Sequence, residues 1–270
     1  MSTPLTRTLL VATAIGGMTS LLRAQENLQD WAKQCESQDD HGKRHCEARE
    51  FTLAGTGGVL RIDANPNGGV RVMAWDKGEV RVVAKIEVHG KSLADAEALA
   101  QEVRVETGSR EVRSSGPHNL VGHRNWSVSY DVWAPAATDL RLRTTNGGLN
   151  VEGINGVVDI ETTNGGIDLK GVAGDVRAET TNGGITIALA GSTWNGAGIR
   201  AETTNGGIRL IVPEGFSAVL EAETTNGGID VDFPVTIQGR LGKDLHAKLG
   251  EGGPVIHLGT TNGGVSIRRP

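Results

Sequence analysis

From Leu140 onward, apolar and polar residues alternate in short runs, and each run breaks at the same five-residue string. Thr-Thr-Asn-Gly-Gly begins at Thr144, Thr162, Thr180, Thr203, Thr224 and Thr260, at intervals of 18, 18, 23, 21 and 36 residues. Two positions before the first threonine stand Leu142, Ile160, Ala178, Ala201, Ala222 and Leu258; four before stand Leu140, Val158, Val176, Ile199, Leu220 and Ile256. Between these columns lie Arg141, Asp159, Arg177, Arg200, Glu221 and His257. Beyond the string the alternation resumes, with Leu149, Ile167, Ile185, Ile208, Ile229 and Val265 leading the next strand. A period of two on both sides of a fixed break predicts strand, corner, strand, then a second and more variable turn.

One such unit cannot bury its apolar face, whereas stacked units share a continuous core. The predicted fold is all-β: a β-solenoid, that is a single-chain β-helix with coils of about 18–23 residues, each rising ~4.8 Å. An up-and-down barrel is the rival, but barrels rarely repeat one corner at successive strands of the same sense. If alternation continues through the corner, the first threonine and the asparagine point inward and the second threonine outward. The glycines would supply backbone angles closed to other residues. Asn146, Asn164, Asn182, Asn205, Asn226 and Asn262 would then form a structural ladder of amide hydrogen bonds. Insertions fall at the second turn: Ser192–Gly198 with Trp194, Pro213–Gly215, and the long excursion Pro234–Pro254. That edge is the expected place for a ligand.

Residues 50–140 are less regular. Asn67-Gly68-Gly69 followed by Val70-Arg71-Val72 reads as a worn copy of the corner and its strand. Glu79–Val88 alternates as a strand. A short helix is expected from Ser92 to about Val103, capped by Ser92, with Leu93, Ala96, Leu99 and Val103 in one stripe. Strands around Val103–Glu106, Glu111–Ser114 and Trp126–Trp133 follow, with Gly116–Gly122 as a loop. This β-rich part is expected to cap the first coil, and Arg268, Arg269 and Pro270 to block the edge at the far end.

Residues 1–24 read as an export signal, with Arg7 ahead of a glycine-broken apolar run and Ala24 before the cleavage point. The run is too short for a confident membrane span, and no other stretch could cross a bilayer. The predicted organisation is a signal at 1–24, a cysteine-bearing segment at 25–49, the β-rich part at 50–140 and the solenoid at 141–270. The two cysteines, Cys35 and Cys46, are expected to form a disulfide in an oxidising compartment, ahead of a metal site with His41 and His45. The chain carries 39 glycines, only 3% aromatic residues and a net charge of -5. That balance argues against general binding to nucleic acid or anionic membranes. No catalytic motif is present, and no cofactor is implied. The glycine pairs do not match calcium-binding roll repeats, whose period is nine residues. His118 and His123 with Asp131 make a weak metal candidate. One column stands out: Glu161, Glu179, Glu202 and Glu223 precede the motif, one coil apart, as a solvated acidic edge or a strip for divalent cations.

Together these features resemble a bacterial family of β-strand-repeat proteins carried under the label "putative adhesin", with a large domain of otherwise unknown function. The resemblance rests on Asn-Gly-Gly-Ile units recurring every 18–23 residues and on the stretch Val70-Arg71-Val72-Met73-Ala74-Trp75-Asp76 with the helix behind it. It covers about residues 49–270 and carries no catalytic residues to transfer. It implies a non-enzymatic, exported protein of the envelope or cell surface, with a glycan or protein partner. A carbohydrate-binding or carbohydrate-active β-helix using the loop edge with Trp194 is one alternative. A periplasmic scaffold in envelope-stress signalling is another. Oligomeric state and the handedness of the coil are not legible.

Overall fold

The computed structural model describes residues 28–38, 43–234, 236–237 and 242–270. The export signal and His41 lie outside the described residues. Among the described residues two helices and 21 strands follow one another, beginning with α1 (28–37), β1 (Arg44–Ala54), β2 (Leu60–Asp63), β3 (Val70–Trp75), β4 (Glu79–His89), α2 (Leu93–Ala100), β5 (Arg104–Thr107), β6 (Glu111–Ser115) and β7 (Asn125–Pro135). The repeats supply β8 (Leu140–Asn146), β9 (Leu149–Glu152), β10 (Val158–Asn164), β11 (Ile167–Lys170), β12 (Asp175–Asn182), β13 (Ile185–Ala188), β14 (Gly198–Asn205) and β15 (Ile208–Ile211). They continue with β16 (Ala218–Asn226), β17 (Ile229–Val231), β18 (Thr236–Ile237), β19 (Asp244–Leu249), β20 (Val255–Asn262) and β21 (Val265–Arg268).

These strands form two long sheets. The first runs β1-β4-β7-β3-β9-β11-β13-β15-β21-β17 and the second β18-β19-β16-β20-β14-β12-β10-β8-β2-β6-β5. The chain crosses between them at each Thr-Thr-Asn-Gly-Gly corner, so equivalent residues of successive coils pair in parallel register: Val158 with Val176, Val176 with Ile199. One apolar core lies between the sheets and runs from Val82 and Val112 at one end to Ile229 and Leu245 at the other. The alternating residues predicted to be inward fill it. With few aromatics, leucine, isoleucine, valine and alanine pack it in layers one strand apart.

The front of the chain belongs to the same stack. Asn67 bridges Asn146, and β2 and β3 lie in parallel beside β8 and β9. The worn copy is therefore a full coil. A further coil, β6 with β7, stacks outside it; it has no corner motif, only the 116–124 loop, and was not legible as a coil. The covering elements are β4, antiparallel to β7, and β1, antiparallel to β4, with β5 and α2. Ser92 caps α2 by accepting a hydrogen bond from the Asp95 amide at 3.3 Å. Ala96, Leu99 and Val103 are buried as expected, whereas Leu93 is 44% exposed. Cys35 and Cys46 are bonded, tying α1 to β1.

The far end departs from the expectation in order. The last coil, β20 with β21, does not lie outermost; it sits between β14–β15 and β16–β17. Arg268 and Arg269 therefore bridge neighbouring coils rather than block an edge. Arg268 pairs with Asp230, and Arg269 donates to the Val212 carbonyl at 3.1 Å and lies over Phe233. The edge of the second sheet is covered by β19, antiparallel to β16, and then β18.

Candidate functional site

The corner is built differently from the expectation. Each first threonine is buried, but all six asparagines are exposed. The alternation stops at the second threonine, because the chain is already turning. The asparagines still form the ladder, on the outside: each amide nitrogen donates to the carbonyl oxygen of the preceding coil's asparagine at 2.8–2.9 Å, from Asn67 through Asn146, Asn164, Asn182, Asn205 and Asn262 to Asn226. A second file runs inside. The Thr162, Thr180, Thr203, Thr260 and Thr224 hydroxyls donate at 2.8–3.0 Å to the carbonyl of the first motif glycine in the preceding coil. These carbonyls point along the stack toward the next coil's first glycine, and the buried threonine supplies their hydrogen bond.

The first glycine owes its place to this stacking and not to a left-handed backbone. A Cβ on Gly165 would lie 1.9 Å from the Gly147 carbonyl oxygen, and one on Gly183 2.0 Å from that of Gly165. Left-handed glycines occur instead at the second turn, as at Gly153 (φ +75°) and Gly171 (φ +57°). At the end of the stack the Lys243 ammonium donates to the Gly227 carbonyl at 2.7 Å, standing in for the threonine of a further coil.

With the corner structural, the candidate site is the outward face of the second sheet. Side chains there form columns one strand spacing apart. The column directly before the motif reads, in spatial order, Arg143, Glu161, Glu179, Glu202, Gly259, Glu223 and Asp244. Beside it run the exposed second threonines Thr163, Thr181, Thr204, Thr261 and Thr225. From Glu161 to Asp244 in the first column and from Thr181 to Thr225 in the second, they line an open groove of about 520 Å³. The predicted glutamates are thus brought together, though Gly259 interrupts them because the last coil is inserted out of order.

Three of the four glutamates already face arginines of the protein, and Glu223 faces His257. Glu161 lies 3.1 Å from Arg143, Glu179 2.5 Å from Arg177, and Glu202 pairs with Arg200. The His257 ring sits among three carboxylates of the two flanking strands, β14 and β16: Nε2 is 3.7 Å from Glu202 and 3.6 Å from Glu223, and Nδ1 is 3.7 Å from Glu221. Sequence reading placed His257 in the neighbouring column but could not bring it against Glu202 and Glu223, since that needs the spatial order of coils. Among the described residues no group of three or more His, Cys, Asp or Glu side chains is arranged to hold a metal ion. Asp131 pairs with Lys85, away from His118 and His123, and His45 lies 3.2 Å from Glu36.

The loop edge does not carry the expected aromatic surface. Trp194 is 7% exposed, packed in the core, with its ring N–H donating to the Gly174 carbonyl at 2.9 Å. The Pro234–Pro254 excursion supplies β18 and β19 to the sheet edge.

Residues 75–268 match Toastrack DUF4097. The chain belongs to that family. No curated protein matches it. Similar solved structures include a "putative cell adhesion protein" from Clostridium sporogenes, at 13% identity over 83% of this chain and 100% of that one, TM-score 0.46. Others are a "putative adhesin" from Bacteroides fragilis (11%, 83% and 97%, TM-score 0.42) and a "Putative lipid binding protein" from Parabacteroides distasonis (11%, 83% and 94%, TM-score 0.32). Among the described residues of this Toastrack protein, no helix is long and apolar enough to cross a membrane.

Proposed function

We propose that this Toastrack protein is an exported, non-enzymatic β-solenoid of the cell envelope or surface that binds a partner through the outward face of its second sheet. The observation behind this reading is the groove in which acidic side chains and threonine hydroxyls repeat at one strand spacing, Glu161, Glu179, Glu202 and Glu223 beside Thr181, Thr204, Thr261 and Thr225. A periodic, rigid, polar face suits an extended partner whose amines and hydroxyls recur at a similar interval. The corner hydrogen bonds are used within the stack, so recognition falls to these columns. The carbohydrate alternative has lost its aromatic platform, because Trp194 is in the core.

Crosslinking capture from the envelope fraction tests the reading. The mature chain and a Glu179→Gln/Glu202→Gln/Glu223→Gln variant with matched thermal stability serve as the two baits. Specific capture by the first, lost or much reduced with the second, supports it. Equal capture by both moves the binding surface elsewhere. A glycan hydrolysis assay on the mature chain runs alongside, and turnover would overturn the non-enzymatic reading.

A further inference from the structure

The place of the last coil carries a consequence for assembly. The strands β20 and β21 lie between two coils that both precede them in the chain. The flanking strands β14 and β16 do not pair with each other; every ladder between them runs through the inserted coil. On one side Gly206 and Ile208 donate to the Asn262 and Gly264 carbonyls at 3.1 and 2.9 Å. On the other, Gly263 and Val265 donate to Asn226 and Gly228 at 3.1 and 2.9 Å. The threonine and asparagine files are continuous across both boundaries.

The connection into this coil is short and specialised. Gly250-Glu251-Gly252-Gly253-Pro254 carries the chain from β19, on the outer flank of β16, across β16 to β20 on its inner flank. Because β19 is antiparallel to β16 and β20 parallel to it, the chain must also reverse. Gly250, Gly252 and Gly253 take left-handed φ values of +51°, +80° and +133°. The reversal is tight: a Cβ on Gly250 would lie 2.3 Å from the Ser217 hydroxyl oxygen.

We propose that the C-terminal coil is exchangeable between two copies of this chain, each inserting its β20–β21 into the slot between β14–β15 and β16–β17 of the other. The slot's occupant need not be tethered to it: the same residues make the same contacts whichever chain supplies them. Exchange therefore loses no ladder, and only the hinge and the entropy of association distinguish dimer from monomer. Extending the hinge instead of reversing it releases the left-handed glycines. The trade takes place as the chain folds, since the last coil enters a stack whose flanking coils are synthesised first. A reciprocal dimer would present two threonine–glutamate grooves and so raise avidity for a repetitive partner.

The test uses the full mature chain with Thr204→Cys and Thr261→Cys, adjacent exposed positions of β14 and β20. It is refolded from micromolar to near-millimolar protein, oxidised, and analysed by non-reducing gel and peptide mass. Single-cysteine variants are controls. The expected result is a covalent dimer linked between positions 204 and 261, its fraction growing with protein concentration during refolding. A second variant lacking Gly252 and Gly253 shortens the hinge and is expected to be dimeric by light scattering at every concentration. The proposal is overturned if the 204–261 bond forms only within monomers throughout. A shortened chain that keeps the parent's circular dichroism and stays monomeric overturns it too; if that chain does not fold, the crosslink decides alone.

Discussion

At the scale of single residues, the corner motif divides its work unevenly, and the division predicts a graded series. Thr180 is buried and its hydroxyl donates to the Gly165 carbonyl. Thr180→Val keeps the shape, leaves the Gly165 oxygen unpaired and is expected to cost about 1–3 kcal/mol. Asn182 is exposed, so in Asn182→Ala water replaces the lost amide, and the expected cost is about 1 kcal/mol or less. Gly183→Ala forces methyl into backbone and should be the worst of the three, with stacked coils having to part. Denaturant unfolding of the three variants checks the order; Asn182→Ala matching Thr180→Val would contradict it. A second residue-scale prediction concerns Tyr130, the only tyrosine in the chain and 1% exposed. Burial pushes its phenol up to about 12, with Asp63 adding to the rise and the Ser114 hydroxyl pulling against it. The unfolded chain sheds this proton near pH 10 while the folded chain keeps it. Stability from this group is therefore intact below pH 10 and falls as pH rises toward 12, by about 2–3 kcal/mol in all. Tyrosinate absorbance of the folded chain should rise only near pH 12, and at about pH 10 in the unfolded chain, and Tyr130→Phe should flatten the alkaline limb of a stability–pH curve.

At the scale of elements, the question is what holds the parts that do not repeat. The α1 helix is joined to β1 by the Cys35–Cys46 bond, closing a loop with a sequence separation of 11. In the chain-entropy account such a bond is worth ~3 kcal/mol. The double variant Cys35→Ala/Cys46→Ala is expected to lose about 2–3 kcal/mol in denaturant unfolding. Hydrogen exchange should quicken first over 28–54 and leave β10 to β15 protected; uniform quickening would show that α1 and β1 unfold with the stack. The α2 helix illustrates how far local pattern reaches. Its cap and the buried Ala96 and Leu99 were legible, because both follow from a side chain one turn away. The exposure of Leu93 was not, because it depends on where the neighbouring strands end.

At the scale of the whole molecule, a segment near each end of the stack leaves the column, returns and lands out of sequence order. At one end β6–β7 packs outside β2–β3; at the other β20–β21 slips inside β16–β17. A chain terminus in a solenoid is ordinarily the first part to fray. Here the last coil is flanked on both sides in both sheets. Amides of Ile256, Leu258, Val265 and Ile267 are expected to exchange as slowly as those of β12 and β13. Fast exchange confined to 255–268 would mean the insertion is loose. The same permutation shapes the candidate face, since it sets Gly259 and His257 between Glu202 and Glu223.

Much of this molecule follows from its sequence alone. The period of two names the strands and their inward faces, and the six corners set the parallel register, because identical turns stack only on one another. The glutamate column and the asparagine ladder follow from that register. What the sequence left open was decided by contacts between residues far apart in the chain. Inward or outward placement of the asparagines depended on where the turn begins, which close packing of glycine against carbonyl determines. The β6–β7 coil carries no motif and is recognised only by what it pairs with. The order of the coils could not be read at all: any Thr-Thr-Asn-Gly-Gly unit fits any other, so local chemistry is indifferent to sequence order. Only the length and path of the connecting segments, closing around one shared core, choose among the arrangements.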